Sequence, residues 1–133
     1  MTMSENAAGA VLEVIRQIAG AFDKRDLDSV LSAHYQGSEC TMIAQGGQRV
    51  VGWGAVRSEL ENRINEFEYS RTAIVQPVVS LYGDVAVITY EQRTNSRLHD
   101  IDFKWVGWVT DVMVQREGRW LRVHHQASDQ SKT

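Results

Sequence analysis

Two residue types that often brace small folds are nearly missing from this chain of 133 residues, which has one cysteine, Cys40, and one proline, Pro77. A single cysteine leaves no intrachain disulfide and excludes a zinc site built from several thiolates. A reducing compartment fits. No apolar run approaches the roughly 20 residues of a membrane-crossing helix. The opening stretch, Met1-Thr2-Met3-Ser4-Glu5-Asn6, has no basic region of the kind that begins a secretion signal. The chain is therefore expected in the cytoplasm, off the membrane. An excess of positive charge is also missing: the formal net charge is −3 and no segment concentrates lysine or arginine, so nucleic acids are not expected partners. The glycines at Gly46-Gly47 and Gly52-x-Gly54 lack the strand-glycines-helix order and Lys-Ser/Thr ending of a phosphate loop. There is no Gly-x-Ser-x-Gly elbow and no His-Glu-x-x-His helix, which removes two common hydrolase chemistries.

The composition that remains is that of a folded domain. A hydrophobic share of 43% and a charged share of 23% allow a packed core. The length suits one domain over residues 1–133 rather than two half-sized cores. From Asn6 to Lys24, Val11, Leu12, Ile15, Ile18, Ala19 and Phe22 recur at helical spacing and predict an amphipathic helix. Asp26 is placed to cap a short second helix with Leu27, Val30 and Leu31 inward, ending near Gly37. Cys40 to Ala44 reads as a strand, followed by turn residues Gln45-Gly46-Gly47-Gln48. A third helix after Gly52 and Gly54 buries Val56, Leu60, Ile64 and Phe67. Its opposite-charge pairs Arg57/Glu61 and Glu59/Arg63 mark a solvated face.

Beyond Phe67 the period changes from helical to alternating. Strands are expected over Tyr69 to Leu81 and Val85 to Thr94, joined at Gly83-Asp84, with Pro77 at a bulge or unpaired position. Phe103 to Gln115 and Arg119 to Ala127 make a second hairpin around Glu117-Gly118. Helices first and long antiparallel strands afterwards is an α+β order. A curved antiparallel sheet facing three N-terminal helices encloses a cone-shaped concavity, the place where a small ligand would bind.

Several local patterns then coincide: Asp26-Leu27-Asp28, Gly52 ahead of Val56-Arg57, Gly83-Asp84-Val85-Ala86-Val87, Gly118-Arg119-Trp120, and Val123-His124-His125-Gln126-Ala127-Ser128. In this order and spacing, over about residues 8–128, the chain resembles the nuclear transport factor 2-like superfamily. The resemblance is to its SnoaL-like polyketide-cyclase and ketosteroid-isomerase branches and to the association domain of calcium/calmodulin-dependent kinases. It implies a cystatin-like α+β barrel, homodimers through the outer sheet face, and functional residues inside the cone. Members include isomerases, dehydratases, cyclases, epoxide hydrolases and binding or assembly modules, so the fold alone names no reaction. The family's usual second histidine near the C-terminus is here Gln126.

By the family pattern, strict alternation along the strands turns Tyr90 and Gln92 inward, together with Asp111, and with His124 beside Arg122 and Gln126. Asp111 is then a candidate general base, Tyr90 a donor to a developing oxyanion, and His124 or His125 a pocket acid, base or donor. A structural ion pair of Asp111 with Arg93 or Arg122, and a histidine satisfied by a backbone carbonyl, are the plainer readings. The two histidines are adjacent, so they point to opposite faces and are poorly placed to share a metal; none is expected. Trp53 stands where it would cover the mouth of the cone and stack on a ligand, or cap the core; Tyr35 and Met42 either line the pocket or pack. Trp105 and Trp108 have opposite parity, one inward and one outward, and Leu121 and Val123 read as outward apolar residues suited to a dimer face. Two functions fit: a pocket for a small apolar compound, catalytic without a cofactor as an isomerase, cyclase or dehydratase, or a homodimeric binding or assembly module.

Overall fold

In the computed structural model, which describes residues 2–44 and 46–130, three helices precede six strands. Helix α1, Met3–Asp23, starts at a capping box in which the Glu5 amide donates to Thr2 Oγ1 at 3.1 Å and the Thr2 amide to Glu5 Oε1 at 3.2 Å. Its stripe buries Val11, Ile15, Ile18 and Ala21. Helix α2, Leu27–Ser32, is capped by Asp26, which accepts from the Ser29 amide at 3.2 Å. It stops well short of Gly37 because the chain there turns to pair with a late strand: Arg122 N donates to Ala33 O and Tyr35 N to Arg122 O, both at 2.9 Å.

Strands β1, Thr41–Ile43, and β2, Arg49–Val51, form a small hairpin. Gly46 and Gly47 of its turn have φ of 93° and 90°, while Gln45 lies outside the described residues. β2 is too short to leave an alternating signature, and nothing in the sequence pattern called for it. Helix α3, Trp53–Ile64, starts directly after Gly52, so Trp53 is its first residue and Phe67 lies beyond its end. The remaining strands, β3 (Tyr69–Tyr82), β4 (Val85–Leu98), β5 (Ile101–Arg116) and β6 (Arg119–Asp129), form one continuous meander. The β3–β4 ladder shifts register between Val75 and Val78, placing Pro77 in the bulge its missing amide requires. The β4–β5 turn at His99-Asp100 has two positive φ values, 52° and 63°. A tight hairpin needs this conformation, but it is usually signalled by Asn-Gly or Asp-Gly, so the turn and the last residues of β4 beyond Thr94 were not legible.

The sheet order is β2-β1-β6-β5-β4-β3. β1 runs parallel to β6, so the sheet is mixed rather than wholly antiparallel, and β2 and β3 do not pair with each other, so it is open rather than a closed barrel. One apolar cluster joins α2 and α3 to β1 and β2 around Val30, Met42, Val56 and Leu60. A second joins α1 to β4, β5 and β6 around Val11, Ile15, Ile88, Tyr90 and Met113. Trp120 belongs to the second cluster as a core residue.

Candidate active site

The site is set by one irregularity. Along β5 and β6, Asp111 lies opposite His125 and Val112 opposite His124, but the next pair is Met113 with Arg122. Val123 is therefore an extra residue, and the bulge reverses the alternation that strict periodicity would impose. Arg122 and His125 both turn inward. His124 turns outward, its Nδ1 2.7 Å from Thr41 Oγ1, and Gln126 is exposed. The inward placement of His124 and Gln126 expected from alternation is thus corrected: the pocket histidine is His125. No sequence signal marks the bulge; Arg122 faces inward as expected, and the parity changes only beyond it, at Val123.

Four side chains from β4, β5 and β6 converge. Asp111 is 0% exposed. Its Oδ2 accepts from Tyr90 Oη at 2.7 Å and from Arg122 Nη2 at 3.0 Å, and its Oδ1 accepts from His125 Nδ1 at 2.6 Å. Burial alone would raise the Asp111 pKa, but the Arg122 charge, His125 and the hydrogen bonds outweigh it and hold the carboxyl well below the usual range. An ionised carboxylate only accepts, so the His125 proton sits on Nδ1 and Nε2 keeps a lone pair. Burial, first, and the charges of Arg122 and Arg63 push the His125 pKa down, against the pull of Asp111, so its ring is neutral at pH 7. Burial, then the neighbouring Asp111 charge, raises the Tyr90 pKa well above that of an ordinary phenol, and its proton is committed to Asp111.

Tyr90, Arg122 and His125 form part of the wall of a cavity of about 330 Å³; Asp111 stands behind them. Helix residues Ile15, Ile18, Phe22 and Leu60 make the apolar wall. Across from them the sheet contributes Thr72, Gln92, Thr94 and Ser96, with Gln92 Nε2 donating to Thr94 Oγ1 at 3.0 Å. Met42 and Trp105 also line the cavity, and Trp108 lies on the other face, 47% exposed, as their opposite parity predicts. Two candidate ligand-binding residues are elsewhere. Trp53 packs on the core beside His34, ring centroids 5.9 Å apart, and Tyr35 lies under Arg116 and against Gly37. Neither reaches the cavity wall, because α3 begins at Trp53 and aims it along the helix-packed core. His34, a residue with no evident partner in the sequence, is buried. Its Nδ1 donates to Val30 O at 2.7 Å, and its Nε2, like Arg122 Nε, has no partner among the described residues. Burial, with the Arg122 charge, pushes its pKa down to about 3. Among the described residues no three His, Cys, Asp or Glu side chains gather as a metal would require, and no helix is long and apolar enough to cross a membrane.

Comparison with known proteins agrees with this architecture. The chain superimposes on a candidate dehydratase of the nuclear transport factor 2-like family from Streptomyces avermitilis with a TM-score of 0.89 at 17% identity, covering 96% of this chain and 98% of that one. A candidate scytalone dehydratase from Novosphingobium aromaticivorans gives 0.88 at 13% identity, covering 98% and 88%. A candidate calcium/calmodulin-dependent protein kinase type II association domain from Thiobacillus denitrificans gives 0.76 at 16%, covering 87% and 91%. Identities this low establish a common fold and no common reaction. No curated protein matches in sequence. The profile of the SnoaL-like domain matches residues 11–130, nearly the whole chain. With three N-terminal helices, an open six-stranded sheet of the nuclear transport factor 2-like fold and this match, the protein belongs to the SnoaL-like domain family.

Proposed function

We propose that this domain binds a small, largely apolar carbonyl compound in its cavity and catalyses a proton transfer of the dehydratase or isomerase type, with His125 as the general base. The observation that carries the reading is the 2.6 Å contact of His125 Nδ1 with Asp111, made by a ring that also forms part of the cavity wall. A buried carboxylate on one nitrogen fixes the tautomer and leaves the other nitrogen as a neutral base. Asp111 orients that base and stabilises the imidazolium that forms, rather than abstracting a proton itself, since it has no exposed surface and is held ionised by Arg122. Tyr90 holds Asp111 in place, because its hydroxyl hydrogen is already engaged there. After abstraction, Nε2 carries the proton and returns it to a departing hydroxyl in a dehydration, or to a nearby carbon in an isomerisation. The dehydratase descriptions of two structural neighbours favour the first.

A homodimer through the outer sheet face belongs to the same proposal, supported by the exposed Trp108 and Val78 on that side. The alternative, a binding or assembly module without catalysis, is favoured by the way Tyr90, Arg122 and His125 already satisfy Asp111. Deuterium uptake at the activated carbon of 2-tetralone, followed by proton NMR in D2O, separates the two. The enzyme reading expects uptake above the buffer rate with the wild type and a return to the buffer rate in His125→Gln. Equal rates in the two proteins contradict it and leave the binding reading.

A further inference from the structure

Arg63 sits two helical turns after Val56, on the edge of the buried stripe of α3, and so reaches the cavity wall while its neighbours Arg57 and Glu61 stay in solvent. The pairing of Arg63 with Glu59, which as a sequence pattern marks only a solvated face, is half-buried here, with the arginine side chain 19% exposed. Glu59 Oε2 takes the Nε hydrogen at 3.1 Å. The outer edge of the guanidinium, with its two terminal nitrogens, has no hydrogen-bond partner among the described residues.

We propose that Arg63 is a ligand-binding residue whose two terminal nitrogens grip a carboxylate, so that the compounds held by this cavity are amphipathic acids, an apolar body ending in an anionic head. The inference rests on the reading of the cavity as a ligand site. A guanidinium offers parallel N–H groups in a rigid fork that matches the two oxygens of a carboxylate, and Glu59 leaves one such edge unused. The body of the ligand has its own complement, since Ile15, Ile18, Phe22 and Leu60 line the helical side. The other cations do not compete equally: Arg122 is neutralised by Asp111 at 3.0 Å, and Lys104 is exposed, with exposed Glu66 on the same cavity wall. Arg63 and His125 line the same cavity, and the Arg63 charge is among those that depress the histidine pKa. Holding the head at Arg63 fixes which carbon of the body faces His125 Nε2.

The test uses 2-naphthoate and its uncharged counterpart 2-naphthamide, titrated calorimetrically into the full chain. The wild type is expected to prefer the acid by roughly tenfold, the scale of one charge-assisted pair in a half-exposed site. Arg63→Gln removes that preference by weakening the acid about tenfold more than the amide, and Arg63→Lys restores part of it. A preference that survives in Arg63→Gln but disappears in Lys104→Gln places the anion elsewhere and overturns the inference, with the cavity reading intact. If neither compound binds the wild type and neither displaces 2-tetralone, the cavity reading fails and the inference fails with it.

Discussion

His34 makes the acid sensitivity of this fold calculable. Its ring is buried against Trp53, and its pKa is pushed down to about 3 by burial first and the Arg122 charge second, with the Val30 carbonyl and Asp111 pulling weakly upward. In the unfolded chain the same ring titrates near 6.5. Because the folded value is depressed, the unfolded state binds the proton first. Stability is complete above about pH 6.5 and falls as the pH drops from there toward about 3. Each unit in that window costs about 1.4 kcal/mol, so lowering the pH from 7 to 5 removes about 2 kcal/mol through His34 alone. His125 titrates in the same direction and adds to the loss. Asp111 contributes only below the unfolded carboxylate range near 4, so it does not enter this interval. The control is His34→Asn, whose amide nitrogen stands in for Nδ1 toward the Val30 carbonyl but does not titrate. Urea unfolding followed by tryptophan fluorescence at pH 7 and pH 5 should show the wild type losing about 2 kcal/mol more than the variant. Parallel pH dependences in the two proteins would refute the reasoning.

Two substitutions probe the scaffold around the site. At Gly107 an added Cβ would run into the Ser128 carbonyl and the Trp105 ring, on a strand pinned between Gln92 and Asp129, so Gly107→Ala should cost about 1–3 kcal/mol and lower the melting temperature by several degrees, as thermal unfolding would read. An unchanged melting temperature would mean that β5 and β6 slide apart at little cost. Tyr90→Phe removes one of three donors to a buried carboxylate and should cost about 1–3 kcal/mol in urea unfolding at pH 7; a loss near zero would mean that Arg122 and His125 satisfy Asp111 without it.

How far the sequence reached can be followed through particular residues. The helical stripe from Val11 through Ile15 to Ile18, the Asp26 cap, the turns at Gly83 and Gly118 and the Pro77 bulge each follow from local chemistry acting within a few positions, and all were legible. Tyr90 and Asp111 were legible as inward polar groups because β4 and β5 keep strict alternation between them. His125 was not, because one extra residue in β6 reverses the parity and only the partner strand reveals it. The same limit applies to the parallel pairing of β1 with β6 and to the cavity wall supplied by α1 and α3, which depend on contacts between segments far apart in the chain. Arg63 was visible only as half of a surface ion pair, since periodicity places it at the edge of a stripe and cannot say what that edge faces.

The central claim is that His125 is a neutral base, pinned through Nδ1 by Asp111 and open at Nε2 toward the cavity. Nitrogen-15 NMR of the histidine rings across a pH titration tests it directly. The expected result is a His125 protonated at Nδ1 and bare at Nε2 at pH 7, with a midpoint below 6.5 that shifts when Asp111 is changed to Asn. A His125 protonated at Nε2 at pH 7, or a midpoint above 6.5, would contradict the account.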